Sequence, residues 1–293
     1  MSDVSLNQDC ICFETAKKFS CGFKGFANNA ELKKINSGAF QNCTSLTSIE
    51  IPSKVEEVAW YSFADCSSLR TVTFGKNSQL KIIGGGYAGT GAFGAFCNCK
   101  SLTDILIPAN VESIEASAFK NCIALKTVTF EKGSLLKTIG GGYESYPSGS
   151  YYYGAFTNCY SLQSIVIPAG VEIIETCTFS GCSELTTVVF ETGSKLTTIK
   201  AASRSSSYFG AFNSCIKLKT FDTSSCASLQ SIESYAFLNT ELSLFLLGAT
   251  NPPSIGYISI ASYAVLKVPN ESIDAYEKAA WRDYFSSISG FNE

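Results

Sequence analysis

Histidine is missing altogether from this sequence, methionine occurs once and tryptophan twice. Without an imidazole, the Ser-His-Asp and Cys-His modes of nucleophile activation are excluded, and with them the commonest general base and most transition-metal sites. Charge is scarce as well: 16% of the 293 residues are charged, with 22 Lys and Arg against 25 Asp and Glu. A formal balance of −3 offers no electrostatic basis for binding nucleic acid. Long apolar runs are also lacking, since the longest, around Leu242 to Leu247, is far short of the roughly 20 residues that cross a bilayer. The first ten residues have no basic start followed by an apolar run, so no cleavable secretory signal is expected. What is present is 45% hydrophobic content, enough for a packed core under a surface of Ser, Thr, Asn and Gly.

That core is written as a repeat. The unit Ala-Phe-x-x-Cys-x-x-Leu recurs, whole or with one change, at Phe40-Cys43-Leu46, Phe63-Cys66-Leu69, Phe96-Cys99-Leu102, Phe119-Cys122-Leu125, Phe156-Cys159-Leu162, Phe179-Cys182-Leu185 and Phe212-Cys215-Leu218. A degraded eighth copy begins at Phe237, with Thr240 at the Cys position. Each Leu is followed by period-two alternation, such as Ile49 and Ile51 before Pro52, or Ile105 and Ile107 before Pro108, which is the strand signal. A second apolar pair, such as Val55 and Val58 or Val111 and Ile114, leads back to the next Phe and completes one coil. One coil cannot bury both its Leu/Ile side and its Phe, but stacked coils bury like residues in continuous ladders.

The spacing between copies is uneven. Phe40 to Phe63, Phe96 to Phe119 and Phe156 to Phe179 are each 23 residues apart, whereas the intervening steps are 33, 37 and 33. Every second coil therefore carries an insertion, after Ile83, Ile139 and Ile199, and insertions at one phase of a solenoid emerge on one side. The Gly84–Gly86 and Gly140–Gly142 runs are expected to supply backbone conformations that only glycine reaches comfortably. Gly89-x-Gly91-x-x-Gly94 matches a dinucleotide fingerprint by letter, but the next residues start another coil rather than a helix.

The extended pattern Ala-Phe-x-x-Cys-x-x-Leu-x-x-Ile-x-Ile-Pro resembles the BspA-type leucine-rich repeat of surface proteins, over roughly residues 24 to 246. The tail, with Asn251-Pro-Pro, Leu266-Lys-Val-Pro269 and Ser272 to Trp281, resembles the segment with which such arrays finish. The resemblance implies an α/β-type repeat solenoid: a leucine-rich-repeat array of short parallel strands and small helical or 3-10 turns, closed by a C-terminal cap. Residues 1–23 would form an N-terminal cap, 24–246 the repeats and 247–293 the C-terminal cap. In that cap Asn270 and Glu271 suit a helix start, and Ile273, Tyr276, Ala280 and Trp281 suit one apolar helical face. The resemblance further implies a non-catalytic adhesion module at the cell surface. It would bind a protein or glycan-bearing ligand on host matrix, host cells or other microbes, with self-association allowed. An intracellular protein-interaction scaffold is the alternative, and neither reading requires a cofactor.

Thirteen cysteines would suggest a disulfide framework, yet seven share one repeat position. Ladder neighbours about 4.8 Å apart with parallel side chains suit packing better than bridging, so these seven are read as free, buried and small. A disulfide among Cys10, Cys12 and Cys21 stays open, although unpaired thiols are favoured. No Cys-x-x-Cys pair suggests zinc. The carboxylates Glu56 and Glu57, Glu112 and Glu115, and Glu172 and Glu175 recur in phase, which marks solvated repeat positions rather than a glycosidase pair. No catalytic or metal site is expected.

The candidate binding residues are the aromatics of the insertions: Tyr87, Phe93, Tyr143, Tyr146, Tyr151, Tyr152, Tyr153, Tyr208 and Phe209. Tyr among Gly and Ser gives large contact area with few rotamers to freeze. The same loops could equally stack on one another as satellite packing, and both roles are compatible. A second surface is the outward strand face, Ser48 and Glu50, Thr71 and Thr73, Asp104 and Leu106, and their repeats, although a Thr-rich face also suits any soluble sheet.

Overall fold

The computed structural model describes residues 10–11, 26, 31–88, 91–92, 94–146, 149–204 and 207–291. Its chain winds as stacked coils with a parallel sheet along each of two sides. One sheet has ten two-residue strands, running from Cys10–Ile11 through Lys34–Ile35, Glu57–Val58 and Ile82–Ile83 to Ser254–Ile255. The other has eight four-residue strands, from Asp104–Ile107 to Ser287–Gly290, and the parallel pair Ser48–Ile51 and Thr71–Phe74 repeats the same element in the first coils. Register is strict: Val128 lies opposite Ile105 and Val188 opposite Ile165, so the inward residues of one coil meet their counterparts in the next. Alternation follows from strand geometry, since Ile105 and Ile107 are buried while Asp104 and Leu106 face out.

The core is a set of ladders. Phe40, Phe63, Phe96, Phe119, Phe156, Phe179, Phe212 and Phe237 form one column of near-parallel rings, with centroids 5.0 to 5.5 Å apart. Beside it runs a column of thiols, each donating to the Phe carbonyl of the coil before. Cys66 reaches Phe40 O at 3.0 Å, and Cys99, Cys122, Cys159, Cys182 and Cys215 repeat the contact at 3.2 to 3.3 Å. Cysteine suits the site because it is small, apolar and still satisfies a buried carbonyl. Thr240 departs from the pattern in the last copy: its hydroxyl lies 3.0 Å from both Phe237 O of its own coil and Ser259 O.

The residue before each Cys turns the corner with positive φ, and it is Asn, Asp, Ser or Gly throughout: Asn42, Asp65, Asn98, Asn121 and Asn158 near 61°, Gly181 at 77°, Ser214 at 61°. These are the side chains that tolerate the left-handed region. Their amides also link up, Asn158 to Asn121, Asn121 to Asn98 and Asn98 to Asp65, at 2.8 to 2.9 Å.

Beyond the last coil, strands Val265–Val268 and Ser287–Gly290 extend the long-strand sheet, while Tyr276 and Trp281 are buried over the end of the core. The Tyr276 hydroxyl donates to Ala249 O at 2.7 Å and the Trp281 indole to Pro253 O at 2.8 Å. Three details differ from the sequence expectation. The segment is not one helix but a 3-10 turn (Asn270–Ser272), a short α-helix (Ile273–Glu277) and a second 3-10 turn (Ala280–Asp283). Asn270 is no N-cap, because Pro269 holds that position without a side-chain bond. Ala280 faces solvent, since the break at Lys278 rotates it off the buried face that Tyr276 and Trp281 share.

Ten of the described cysteines carry thiols rather than disulfides. Cys43 corrects one expectation: it is half-buried. The Cys66 thiol, shared between Phe40 O and the Cys43 sulfur, holds the Cys43 thiol below its ordinary range. Elsewhere burial pushes the thiols up, Cys97 to about 11 and Cys177, Cys182 and Cys226 to about 12. An unfolded thiol titrates near 8.5. Above that pH the unfolded chain has released protons that the folded one retains, so this contribution to stability is complete below about pH 8.5 and is lost as pH rises towards 11 or 12. The midpoint of urea unfolding is therefore expected to fall steadily above pH 8.5, and iodoacetamide at pH 8 should label Cys43 before Cys122 or Cys159. A midpoint unchanged to pH 11, or labelling of Cys122 in the folded protein at the rate of a peptide thiol, would contradict this.

Candidate functional site: the hairpin flank

Each insertion is a β-hairpin, and all three leave the solenoid at the same phase. Their strands are Tyr87–Ala88 with Gly91–Ala92, Gly141–Tyr146 with Gly149–Gly154, and Ala201–Arg204 with Ser207–Gly210. Where a coil has no insertion, the same position is a single residue with positive φ: Gly38, Tyr61, Ser117, Cys177 and Tyr235. A hairpin thus replaces one left-handed turn residue. The roots are seated on the coil that follows. The Gly85 amide donates to Glu115 Oε2 at 2.8 Å, and the Ala201 amide to Glu233 Oε2 at 2.7 Å. Thr157 Oγ1 bridges the Gly154 amide and Cys177 O.

The glycines at these roots are required for a reason other than the expected one. Gly84, Gly85, Gly140, Gly141 and Gly142 do not take left-handed φ. Several instead lie so close to the neighbouring coil that a Cβ has no room: it would stand 2.0 Å from Ala116 O at Gly85 and 2.0 Å from Thr176 O at Gly141. The last hairpin residue is the most crowded, with a Cβ at Gly94, Gly154 or Gly210 falling 1.8 to 2.0 Å from the carbonyl oxygen of Ser117, Cys177 or Tyr235.

The candidate aromatics separate by position. Tyr87, Tyr143, Tyr146, Tyr151 and Tyr152 lie on hairpin strands, where register sets Tyr143 opposite Tyr152 and Tyr151 opposite Glu144. The second strand of the middle hairpin runs beside the second strand of the first. Phe93 lies outside the described residues, as do Cys12 and Cys21. Tyr153 is half-buried, and its ring crosses Gly142, where an added Cβ would meet it at 2.8 Å. Phe209 is buried. With so little of it exposed, it is left out of the solvent-facing contacts.

Sequence reasoning missed four aromatics on this flank. Trp60 and Tyr257 are 44% and 52% exposed, and they occupy equivalent places, Trp60 O accepting from Gly38 N and Tyr257 O from Tyr235 N. Tyr61 and Tyr235 hold left-handed turn positions. The available signal was phase: Tyr61 and Tyr235 each stand two residues before a ladder Phe.

The phased carboxylates are structural. Glu56 lies between Lys33 and Lys81 at 3.0 and 3.1 Å, Glu112 meets Lys137 at 2.8 Å and Glu57 meets Lys34 at 2.7 Å. Hydrogen bonds from these lysines hold Glu56 and Glu112 below the usual carboxylate range. Among the described residues no group of three or more Cys, Asp or Glu could hold a metal ion, and no helix is long and apolar enough to cross a membrane. On the long-strand face Ser48, Glu50, Asp104, Leu106, Ser164 and Val166 are exposed, whereas Thr187 and Val189 are half-buried.

With repeat, ladder and insertion phase established, the model of the BspA-type leucine-rich-repeat region matches residues 90–143 and 150–262 in six copies, more than half of the chain. The chain belongs to the BspA-type leucine-rich-repeat family. No curated protein matches it significantly. Among solved structures, the BspA-type array is similar to the pneumococcal vaccine antigen PcpA at 16% identity, covering 92% of this chain and 82% of that one, with a TM-score of 0.29. It is similar to a leucine-rich cell surface protein from Faecalibacterium prausnitzii at 20% identity, covering 90% and 84%, with a TM-score of 0.28. A leucine-rich-repeat protein from Eubacterium ventriosum matches at 16% identity over 89% of this chain and 70% of that one, with a TM-score of 0.39.

Proposed function

We propose that this chain is a non-catalytic recognition module of the cell surface, which binds a protein or glycan-bearing macromolecule of host matrix, host cells or other microbes. In this reading residues 24–246 are the binding array, and 1–23 and 247–293 are its caps. The observation that carries the proposal is the hairpin row: three insertions of different sequence, rooted at one phase on rigid coils, line up along one flank. Rigid roots lower the cost of ordering a contact surface, and tyrosine supplies area with few rotamers. Tyr87, Phe93, Tyr143, Tyr146, Tyr151, Tyr152, Tyr153 and Tyr208 are the contact residues. Membership of the BspA-type family supports both the binding role and the surface location.

The test is a binding screen of the purified chain against matrix proteins, host-cell surfaces and the chain itself, beside a variant with Tyr151, Tyr152 and Tyr153 changed to Ser. Binding should fall at least about tenfold in a variant whose circular dichroism is unchanged, the loss expected when several interface tyrosines are truncated. Binding indifferent to the change would remove the hairpins from the site and leave them as packing.

A further inference from the structure

The first member of the thiol column differs from the rest. Cys66, Cys99, Cys122, Cys159, Cys182 and Cys215 are wholly buried, whereas Cys43 is half-buried between the exposed residues Asn42 and Thr44. The turn that carries it is fixed to the next coil: the Phe40 amide donates to Ser62 O at 2.6 Å and the Asn42 amide to Ala64 O at 2.8 Å. Cys43 and Cys66 therefore stand one ladder step apart. A single carbonyl holds both, since Phe40 O accepts from the Cys43 amide at 3.1 Å and from the Cys66 thiol at 3.0 Å. The two sulfurs are themselves hydrogen-bonded, with Cys66 as the donor.

The contact makes an asymmetric pair. The hydrogen bond from Cys66 holds the Cys43 thiol below its ordinary range, and the same bond, together with burial, pushes the Cys66 thiol up. Cys43 is thus the sulfur that solvent reaches and that ionises first, with a protonated thiol against it. The later members of the column have neither property, because they are wholly buried and burial pushes their thiols up. An accessible thiolate touching a second thiol is the arrangement that oxidises reversibly: the first sulfur reacts, and the second resolves the product before oxidation goes further.

We infer that Cys43 and Cys66 form an oxidisable dithiol site, which reduces a small hydroperoxide and closes a reversible disulfide between two neighbouring coils. In the first step the Cys43 thiolate attacks the terminal oxygen of the hydroperoxide ROOH and the O–O bond breaks. The departing RO⁻ takes the proton that Cys43 released, which leaves ROH and a sulfenic acid on Cys43. In the second step the Cys66 sulfur attacks the Cys43 sulfur, the S–O bond breaks, and hydroxide leaves as water with the Cys66 proton. The two sulfurs lose the two electrons that the peroxide gains. Ladder neighbours about 4.8 Å apart must close to the roughly 3.5 to 4.5 Å that a disulfide sets between β-carbons. The half-exposed turn of Cys43 resists such closure least, and a bridge held off its preferred geometry is readily reduced again. Closure also removes the Cys66 thiol from Phe40 O, so a covalent tie replaces one rung of the column.

The test treats the reduced full chain with hydrogen peroxide and locates the products by peptide mass spectrometry. A Cys43–Cys66 linkage within one chain is expected, and dithiothreitol should reverse it. Cys66→Ser keeps a hydroxyl donor but removes the resolving sulfur, so dimedone, which traps sulfenic acids, should then accumulate on Cys43. Cys43→Ser should lose both the disulfide and the dimedone adduct. Circular dichroism checks that each variant folds, and brief peroxide treatment of the unaltered chain with dimedone present gives the same reading where Cys66→Ser does not. Dimedone on another cysteine first, a disulfide from Cys43 to a different cysteine or to a second chain, or a Cys43 that stays a thiol in the folded chain would each overturn the site.

Discussion

Phe119→Ala is expected to destabilise the protein by about 3–5 kcal/mol, the range for removing a fully buried phenylalanine. Phe119 is wholly buried and stacks between Phe96 at 5.4 Å and Phe156 at 5.3 Å, so truncation deprives two coil interfaces of contact at once. The position matters beyond its cost. A solenoid's stability is a sum of coil terms and nearest-neighbour interfaces. A defect in the middle of the stack therefore lets the two halves melt apart, and urea unfolding should change from one transition to two. Phe119→Leu, which refills much of the volume, should lose far less and keep a single transition. A loss below about 1 kcal/mol for the alanine variant, or an unchanged single transition, would mean that the ring column is not what couples the coils.

Gly154→Ala should rival that effect although it adds a single methyl group. An alanine Cβ would stand 1.9 Å from Cys177 O and 2.3 Å from its carbonyl carbon, with backbone rather than a flexible side chain in the way. Either the hairpin root or the next coil must move, and overpacking of this kind costs about 3 kcal/mol or more. Gly133→Ala is the control. It has φ 80° and nothing within 4 Å of the added carbon, so it should cost only the conformational penalty, about 1–2 kcal/mol. A Gly154→Ala melting temperature at or above that of Gly133→Ala would show that the root glycine is not sterically required.

The architecture was legible in the sequence because the repeat is long and its anchors are large. Phe, Cys and Leu at fixed spacing are what stacked coils need, and the phase of the insertions followed from counting between Phe residues. Less legible were features that depend on a neighbour one coil away. The glycine runs look alike on paper whether they serve an unusual φ or a close approach, and only the distance from Gly85 to Ala116 O decides. The amide column of Asp65, Asn98, Asn121 and Asn158 shows as a mere preference for Asn before Cys. Tyr235 and Tyr257 lie outside any insertion, and they join the hairpin flank through coil stacking alone. Phe209 is buried, and the composition of an insertion does not say which of its aromatics pack and which face out. In the C-terminal segment, apolar periodicity correctly marked Tyr276 and Trp281, but the break between them carries no strong signal.

The lysine and glutamate column sets a counting rule for the coils it spans. Lys33, Glu56, Lys81, Glu112 and Lys137 alternate in sign from one coil to the next, and the hairpins alternate with the same parity. Over these five coils a displacement by one would set like charges side by side, whereas a displacement by two returns opposite signs to each other. Odd lengths are thereby penalised and even ones tolerated. An array of this kind lengthens or shortens in pairs of coils, and each pair gained would extend the reach of its hairpin row by about 10 Å.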